Sequence, residues 1–221
     1  MIYYLLNRSL ERKEVGVAFG QTDQIWDLDF ISGVPYIEQL MKLPNWHGNL
    51  TNDEFPTYEP RIKFELTEKG KLSDLVDIPM MTANGLFLSP KFKTLLEYFN
   101  LMEHRFYPGK LKVGEFVKEY FWFHPKANYF EWFDFEKSEV HFELEEDEPI
   151  FINSLEQYKN YHKKGYINVS KICFNKQFPN LDLFCIPHLN RRTEFFISEQ
   201  LMNIIKKEKI TGIEIKEQFF I

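Results

Sequence analysis

The chain is poor in the residues that mark exported, metal-built or nucleotide-binding proteins. Its 221 residues include two cysteines, Cys173 and Cys185, too few for the disulfide framework that staples small secreted domains. Ten glycines are scattered along it, with no G-x-G-x-x-G and no G-x-x-x-x-G-K-[ST], so the loops that cradle phosphates are missing. H-E-x-x-H and G-x-S-x-G are missing too, which removes the usual zinc-peptidase and α/β-hydrolase signatures. No apolar run approaches the ~18 residues needed to span a bilayer. The apolar start, Met1 to Leu6, precedes Arg8, the reverse of the order in a signal peptide. These absences predict a cytoplasmic protein with no membrane segment, no cofactor and no enzymatic activity. In the cytoplasm the sequons at Asn49 and Asn168 stay bare.

Aromatic residues are plentiful. They make up 17% of the chain, with 23 phenylalanines, inside a 44% hydrophobic composition. Large rings bury much area per residue and favour pleated, half-buried surfaces, so a strand-rich core is expected. Charge is uneven. The net is −6, but residues 131–148 hold nine acids against Lys137 alone, which leaves the remainder two charges positive. A block of that sign repels nucleic-acid phosphates and attracts basic partners.

Periodicity predicts strands at Ile2–Leu6, Val15–Phe19 and, by strict alternation, Trp26–Phe30. Pro35 then opens a short helix to Leu43, and residues 44–60 read as a proline-punctuated loop. Ser89-Pro90 starts the clearest helix, with Phe92, Leu95, Leu96 and Phe99 on one face. A strand follows over Arg105–Val113. From Glu115 to Leu144 alternation predicts an antiparallel pair turning at Lys137-Ser138. Asn153 and Glu156 read as a capping box for a helix that Gly165 ends. Ser198 caps a last helix carrying Leu201, Ile204 and Ile205, before a strand over Gly212–Ile215. The class is therefore α+β, an antiparallel-rich sheet flanked by three or four helices. The two Ser-capped units repeat at an offset of 109 residues, Phe87-Leu88-Ser89 against Phe196-Ile197-Ser198. Either the single domain 1–221 consists of two related halves, 1–114 and 115–221, or two generic capped helices happen to look alike.

Three constellations were weighed for chemistry. Cys185 and His188, with Cys173, have zinc-ligand character, but both cysteines sit in apolar runs and no fourth ligand completes a site, so no metal is expected. Asp27 and Asp29 share one side of the predicted strand, ~7 Å apart, the basis for an alternative reading as a small hydrolase or transferase. The six histidines are scattered and read as surface or capping residues. What remains is the acidic block. Glu131, Asp134, Glu136, His141, Glu143, Glu145, Glu146 and Asp147 are the candidate partner-binding residues. A structural or oligomerisation domain is the other non-enzymatic alternative.

Asn180-Leu181-Asp182-Leu183-Phe184-Cys185-Ile186, Phe195-Phe196-Ile197-Ser198-Glu199, the amphipathic helix and Ile210-Thr211-Gly212-Ile213-Glu214 follow one another towards the C-terminus. This order resembles the closing signature of family eleven of the bacterial polymorphic-toxin immunity proteins. Leu86-Phe87-Leu88-Ser89 and Tyr107-Pro108 resemble that family's middle segment, although Pro90 stands where glutamate is usual. The likeness covers about residues 84–113 and 150–215. It brings no catalytic residues. It implies a protein that binds and neutralises a cognate toxin by occlusion.

Overall fold

A computed structural model describes residues 2–17, 21–24, 55, 62–77, 85–126, 132–142, 149–150, 152–164, 167–189 and 192–220. In chain order the elements are β1 (Ile2–Arg8), α1 (Arg12–Val15), β2 (Thr22–Gln24), β3 (Ile62–Leu66), β4 (Leu75–Val76), β5 (Leu86–Leu88), α2 (Pro90–Leu96), β6 (His104–Val113) and β7 (Phe116–Pro125). They continue with β8 (Glu139–Phe142), β9 (Pro149–Ile150), α3 (Leu155–Lys164), β10 (Ile167–Lys171), β11 (Leu183–Leu189), β12 (Arg192–Ser198), α4 (Glu199–Lys207) and β13 (Ile213–Phe220). The strands form three sheets, ordered β11-β12-β1-β13, β10-β8-β9 and β2-β3-β6-β7-β5-β4. Every ladder is antiparallel except β3 with β6. The fold is α+β, as composition and periodicity indicate.

The two Ser-capped units share one architecture. In the first, Leu75 and Val76 oppose Leu88 and Phe87; in the second, Leu183 and Phe184 oppose Ile197 and Phe196. A helix follows at once in each, then a long strand, β6 or β13. Between hairpin and long strand lies a fourth strand: β7 in the first unit, which follows β6, and β1 in the second, which starts the chain. The second unit thus draws its central strand from the opposite end of the sequence. The midpoint at 114 and 115 is the two-residue turn joining β6 to β7.

Each unit is closed by an aspartate that precedes its first strand. Ser89 is extended (φ −64°, ψ 159°) and its hydroxyl accepts the Phe92 N–H at 3.2 Å while donating to Asp74 Oδ1 at 2.6 Å. Ser198 has the same backbone geometry, accepts from Leu201 N–H at 3.2 Å and donates to Asp182 Oδ1 at 2.5 Å. The other carboxylate oxygen reaches into the opposite unit. Asp74 Oδ2 accepts the Thr211 N–H at 2.9 Å, and Asp182 Oδ2 accepts the Asn100 N–H at 3.0 Å. Backbone bonds reinforce both crossings, Leu75 N–H to Thr211 O at 3.0 Å and Asp182 N–H to Asn100 O at 2.6 Å. Gly212, at φ +80°, has no room for a Cβ against the Leu75 carbonyl, so a close backbone approach dictates that residue.

One apolar core spans both units. Leu88, Phe92, Leu96 and Phe123 pack in the same cluster as Tyr3, Leu5, Phe184, Phe196, Leu201 and Ile205. Phe184 stacks on Phe196 (5.3 Å) and Tyr3 stands edge-on to Phe184 (5.1 Å). A smaller cluster of Phe64, Val76, Phe87, Tyr107, Leu111, Tyr120 and Trp122 lies on the other face of the six-stranded sheet, which is therefore covered on both sides over β5 and the adjoining ends of β6 and β7.

Several local expectations are corrected. Val15 ends a one-turn helix instead of starting a strand, because Gly16 turns back at φ +84°. The third helix is capped by Ser154, whose hydroxyl accepts the Gln157 N–H at 3.3 Å; Gln157 Oε1 in turn accepts the Asn153 N–H. The box is Ser154–Gln157, one residue past Asn153–Glu156, because each side chain then meets the N–H it serves. The turn at Lys137-Ser138 exists, but no antiparallel pair flanks it: Phe133 bridges Phe174, while β8 pairs with β10 and β9. The strand over residues 26–30, the helix over 35–43 and most of the 44–60 loop lie outside the described residues.

If the aspartates organise the helix starts, Asp182→Ala should destabilise the chain by about 2 kcal/mol and Ser198→Ala by about 1–2 kcal/mol, from a lost cap and a lost charge-assisted bond. Urea denaturation of both variants and the double variant should give a coupling of about 1 kcal/mol. Strict additivity would show that the two groups act independently.

Candidate protein-binding surface

Of the eight acidic-block candidates, Asp134, Glu136 and His141 lie among the described residues; Glu131, Glu143, Glu145, Glu146 and Asp147 do not. Asp134 sits in the turn before β8 and accepts Lys137 Nζ at 2.5 Å. That hydrogen bond, the lysine's charge, and the N–H groups of Lys137 and Glu136 hold its carboxyl below the usual range. Glu136 is exposed, while Glu139 lies 3.5 Å from Lys171 Nζ across β10. Two of the described acids therefore face a base of their own neighbourhood. His141 is half-buried on the central strand of its sheet.

Asp27 and Asp29, the alternative catalytic pair, lie outside the described residues. Ser89–Asp74 and Ser198–Asp182 pair a hydroxyl with a carboxylate, as an activated nucleophile would be. Yet each hydroxyl spends its lone pair on a helix N–H and its proton on the aspartate, and no imidazole bonds to either serine among the described residues. These pairs are structural. Among the described residues no three His, Cys, Asp or Glu side chains come together as metal ligands. Cys185 is buried and Cys173 half-buried.

Sequence reasoning placed all histidines at the surface or in caps, and His124 overturns that. It is 3% exposed on β7, stacked on Trp122 at 4.5 Å, with the Phe55 ring edge-on at 5.8 Å. Its Nδ1 has no hydrogen-bond partner among the described residues. Burial, then the Arg105 guanidinium from the facing strand, push its pKa down to about 4. The ring is therefore neutral, and aromatic packing explains its place.

A surface that sequence reasoning missed is the tip of the β6–β7 hairpin. Val113 pairs with Phe116 across Gly114 and Glu115; Gly114 has φ +58° and Glu115 a negative φ, the type II′ pattern that suits a two-residue hairpin. Gly114 to Glu119 are all exposed, with Phe116 at 76% and Val117 at 56%. Leu72, 43% exposed, lines a groove of about 430 Å³ alongside, with Ser73, Asp74, Ser89, Pro90, Lys118, Glu119, Tyr120 and Thr211. Three of the five large apolar side chains exposed among the described residues thus lie along one hairpin edge. The signal in the sequence was Gly114-Glu115 followed by Phe116-Val117, an apolar pair directly after a turn. A second groove, of about 460 Å³ between α4 and β13, has an apolar floor and a rim of Lys206, Lys209 and Lys216.

This is a two-unit α+β protein whose described surface offers interaction features rather than an assembled catalytic group. No protein-family model matches the chain, and no curated protein matches its sequence. No helix among the described residues is long and apolar enough to cross a membrane.

A neutral buried His124 has a thermodynamic consequence. With a folded pKa near 4 and an ordinary value of 6.5, the unfolded chain binds the extra proton between those limits, so stability falls as pH drops from about 6.5 to about 4. The loss attributable to this ring is on the order of 3 kcal/mol. His124→Phe should flatten that part of the stability profile, measured by urea titration at a series of pH values. An unchanged slope would contradict the assignment.

Proposed function

We propose that this chain is an immunity-type binding protein that neutralises a cognate bacterial toxin in the cytoplasm by covering its working surface, without chemistry of its own. The observation that carries this reading is the hairpin tip. Phe116 and Val117 stand side by side in water on β7, where burial by a partner would return about 1.5–3 kcal/mol per side chain. Aromatic anchors of this kind dominate protein interfaces, and two closing residues on a paired hairpin lose little freedom on docking. The net negative charge of residues 131–148 supplies a second element, long-range attraction for a basic toxin. Occlusion needs shape and charge complementarity and no cofactor. The resemblance of Asp182 to Glu214 to the closing segment of an immunity family points the same way.

The test is co-expression with the toxin-like product of the neighbouring gene. The chain should bind that product and restore growth. Phe116→Ser combined with Val117→Ser should leave the melting temperature nearly unchanged while weakening binding by about 30-fold or more, the equivalent of two lost apolar anchors. Undiminished neutralisation would remove the tip from the interface, and failure to bind any neighbouring product would remove the immunity role.

Glu143→Gln, Glu145→Gln and Glu146→Gln together should lower the association rate at low salt and reduce its salt dependence, with little change in dissociation. Stopped-flow or surface-binding kinetics at two ionic strengths measure this. Identical rates for variant and parent would show that the acidic block plays no part in steering.

A further inference from the structure

The backbone of β7 has one side unoccupied beside the exposed tip. In a two-residue hairpin the closing pair is hydrogen-bonded, so Phe116, Lys118 and Tyr120 turn their N–H and C=O groups towards β6. Val117 and Glu119 then turn theirs the other way, towards the line of β5. The β5 side gives the same answer independently. Ser89 N–H bonds to Asp74 O, facing β4, so Leu88 faces β7 and meets Phe121, which has the same parity as Val117 and Glu119. But β5 stops at Leu88, because Ser89 and Pro90 begin α2. Beyond that point no described strand pairs with the outer side of β7 at Val117 and Glu119.

The space left has the width of a strand. Asp74 and the residues before it continue the line of β4, two strand spacings or ~10 Å from β7. The Tyr120 hydroxyl, donating to Ser73 O at 2.6 Å, marks the far wall. The groove of about 430 Å³ fills this gap, with Leu72, Phe116 and Val117 exposed around it and Lys118 on its rim.

We propose that this gap is a strand-addition site: an extended segment of a partner protein continues the line of β5 and bonds through its main chain to Val117 and Glu119. The complementarity defines the segment. It alternates apolar side chains, which cover Phe116, Val117 and Leu72, and it places a carboxylate beside Lys118. The inference rests on the preceding reading only in that this hairpin binds protein.

The test uses the full chain, isotope-labelled, and an acetylated eight-residue peptide alternating valine and threonine with one glutamate. The peptide, at up to about 1 mM, a range suited to weak strand pairing, should shift the Val117 and Glu119 amides saturably and slow their exchange about tenfold. Lys118 and Tyr120, already bonded to β6, should change little. Val117→Pro removes an outward N–H without breaking the β6 ladder, so it should weaken peptide binding about tenfold or more, whereas Val117→Ile should keep it. If Val117→Pro lowers the melting temperature sharply, Glu119→Pro serves the same purpose. The proposal is overturned if the shifts fall elsewhere or are absent, or if the proline variants bind normally. It is also overturned if both amides are already protected in the dilute chain, or become protected as its concentration rises without peptide, which would make the occupant the chain itself or a second copy. Failure of the two readings is distinguishable: toxin neutralisation that survives Val117→Pro ends strand addition alone, and peptide binding without neutralisation ends the immunity role alone.

Discussion

Two carboxylates hold this molecule in register. Asp74 and Asp182 each accept a serine hydroxyl that caps the helix of their own unit and a backbone N–H from the segment leaving the helix of the other unit. A buried or half-buried carboxylate is costly unless its lone pairs are filled, and here backbone and hydroxyl donors fill them. The same bonds that satisfy the charge fix where each helix starts, where each hairpin ends and how the units meet. The common core from Phe92 to Ile205 can only close when that meeting is correct.

The brace also decides where the surface is left open. Because Ser89 leaves the sheet to cap α2, β5 is only three residues long, while β7 beside it runs for ten. On the other face Lys93, one turn into α2, reaches over the Phe106 and Phe121 rings at 5.1 Å from each. The helix thus covers one face of the hairpin base and leaves the tip bare. A stable, doubly covered base carrying an exposed apolar end is a sound physical platform for docking, since the platform is ordered before the partner arrives.

The buried aromatic stack around His124 serves the other end of the same hairpin. Gly85 has no side chain because a Cβ would overlap the Trp122 indole, and that indole in turn carries the imidazole. The histidine stays neutral, so it behaves as a flat ring in a layer of rings rather than as a charge. Acid and base chemistry therefore contributes to this region only through the cost of protonating it.

What the sequence alone determined is local. Serine at the cap, proline at the first helical position and the apolar spacing of Phe92, Leu96, Leu201 and Ile205 specify both helices, because N-cap hydrogen bonds and a 3.6-residue period are properties of consecutive residues. The likeness of the two units at an offset of 109 was readable for the same reason, and so was the α+β class. The strand partner of β8 was not, since alternation gives a face but not a neighbour, and Lys137-Ser138 marks a turn without saying what pairs across it. Nor could the chain order reveal that β1 completes the unit formed by the last strands. The role of Asp74 and Asp182, the burial of His124 and the open side of β7 were decided only in three dimensions. Each depends on groups brought together from distant parts of the chain, and no local propensity encodes those meetings.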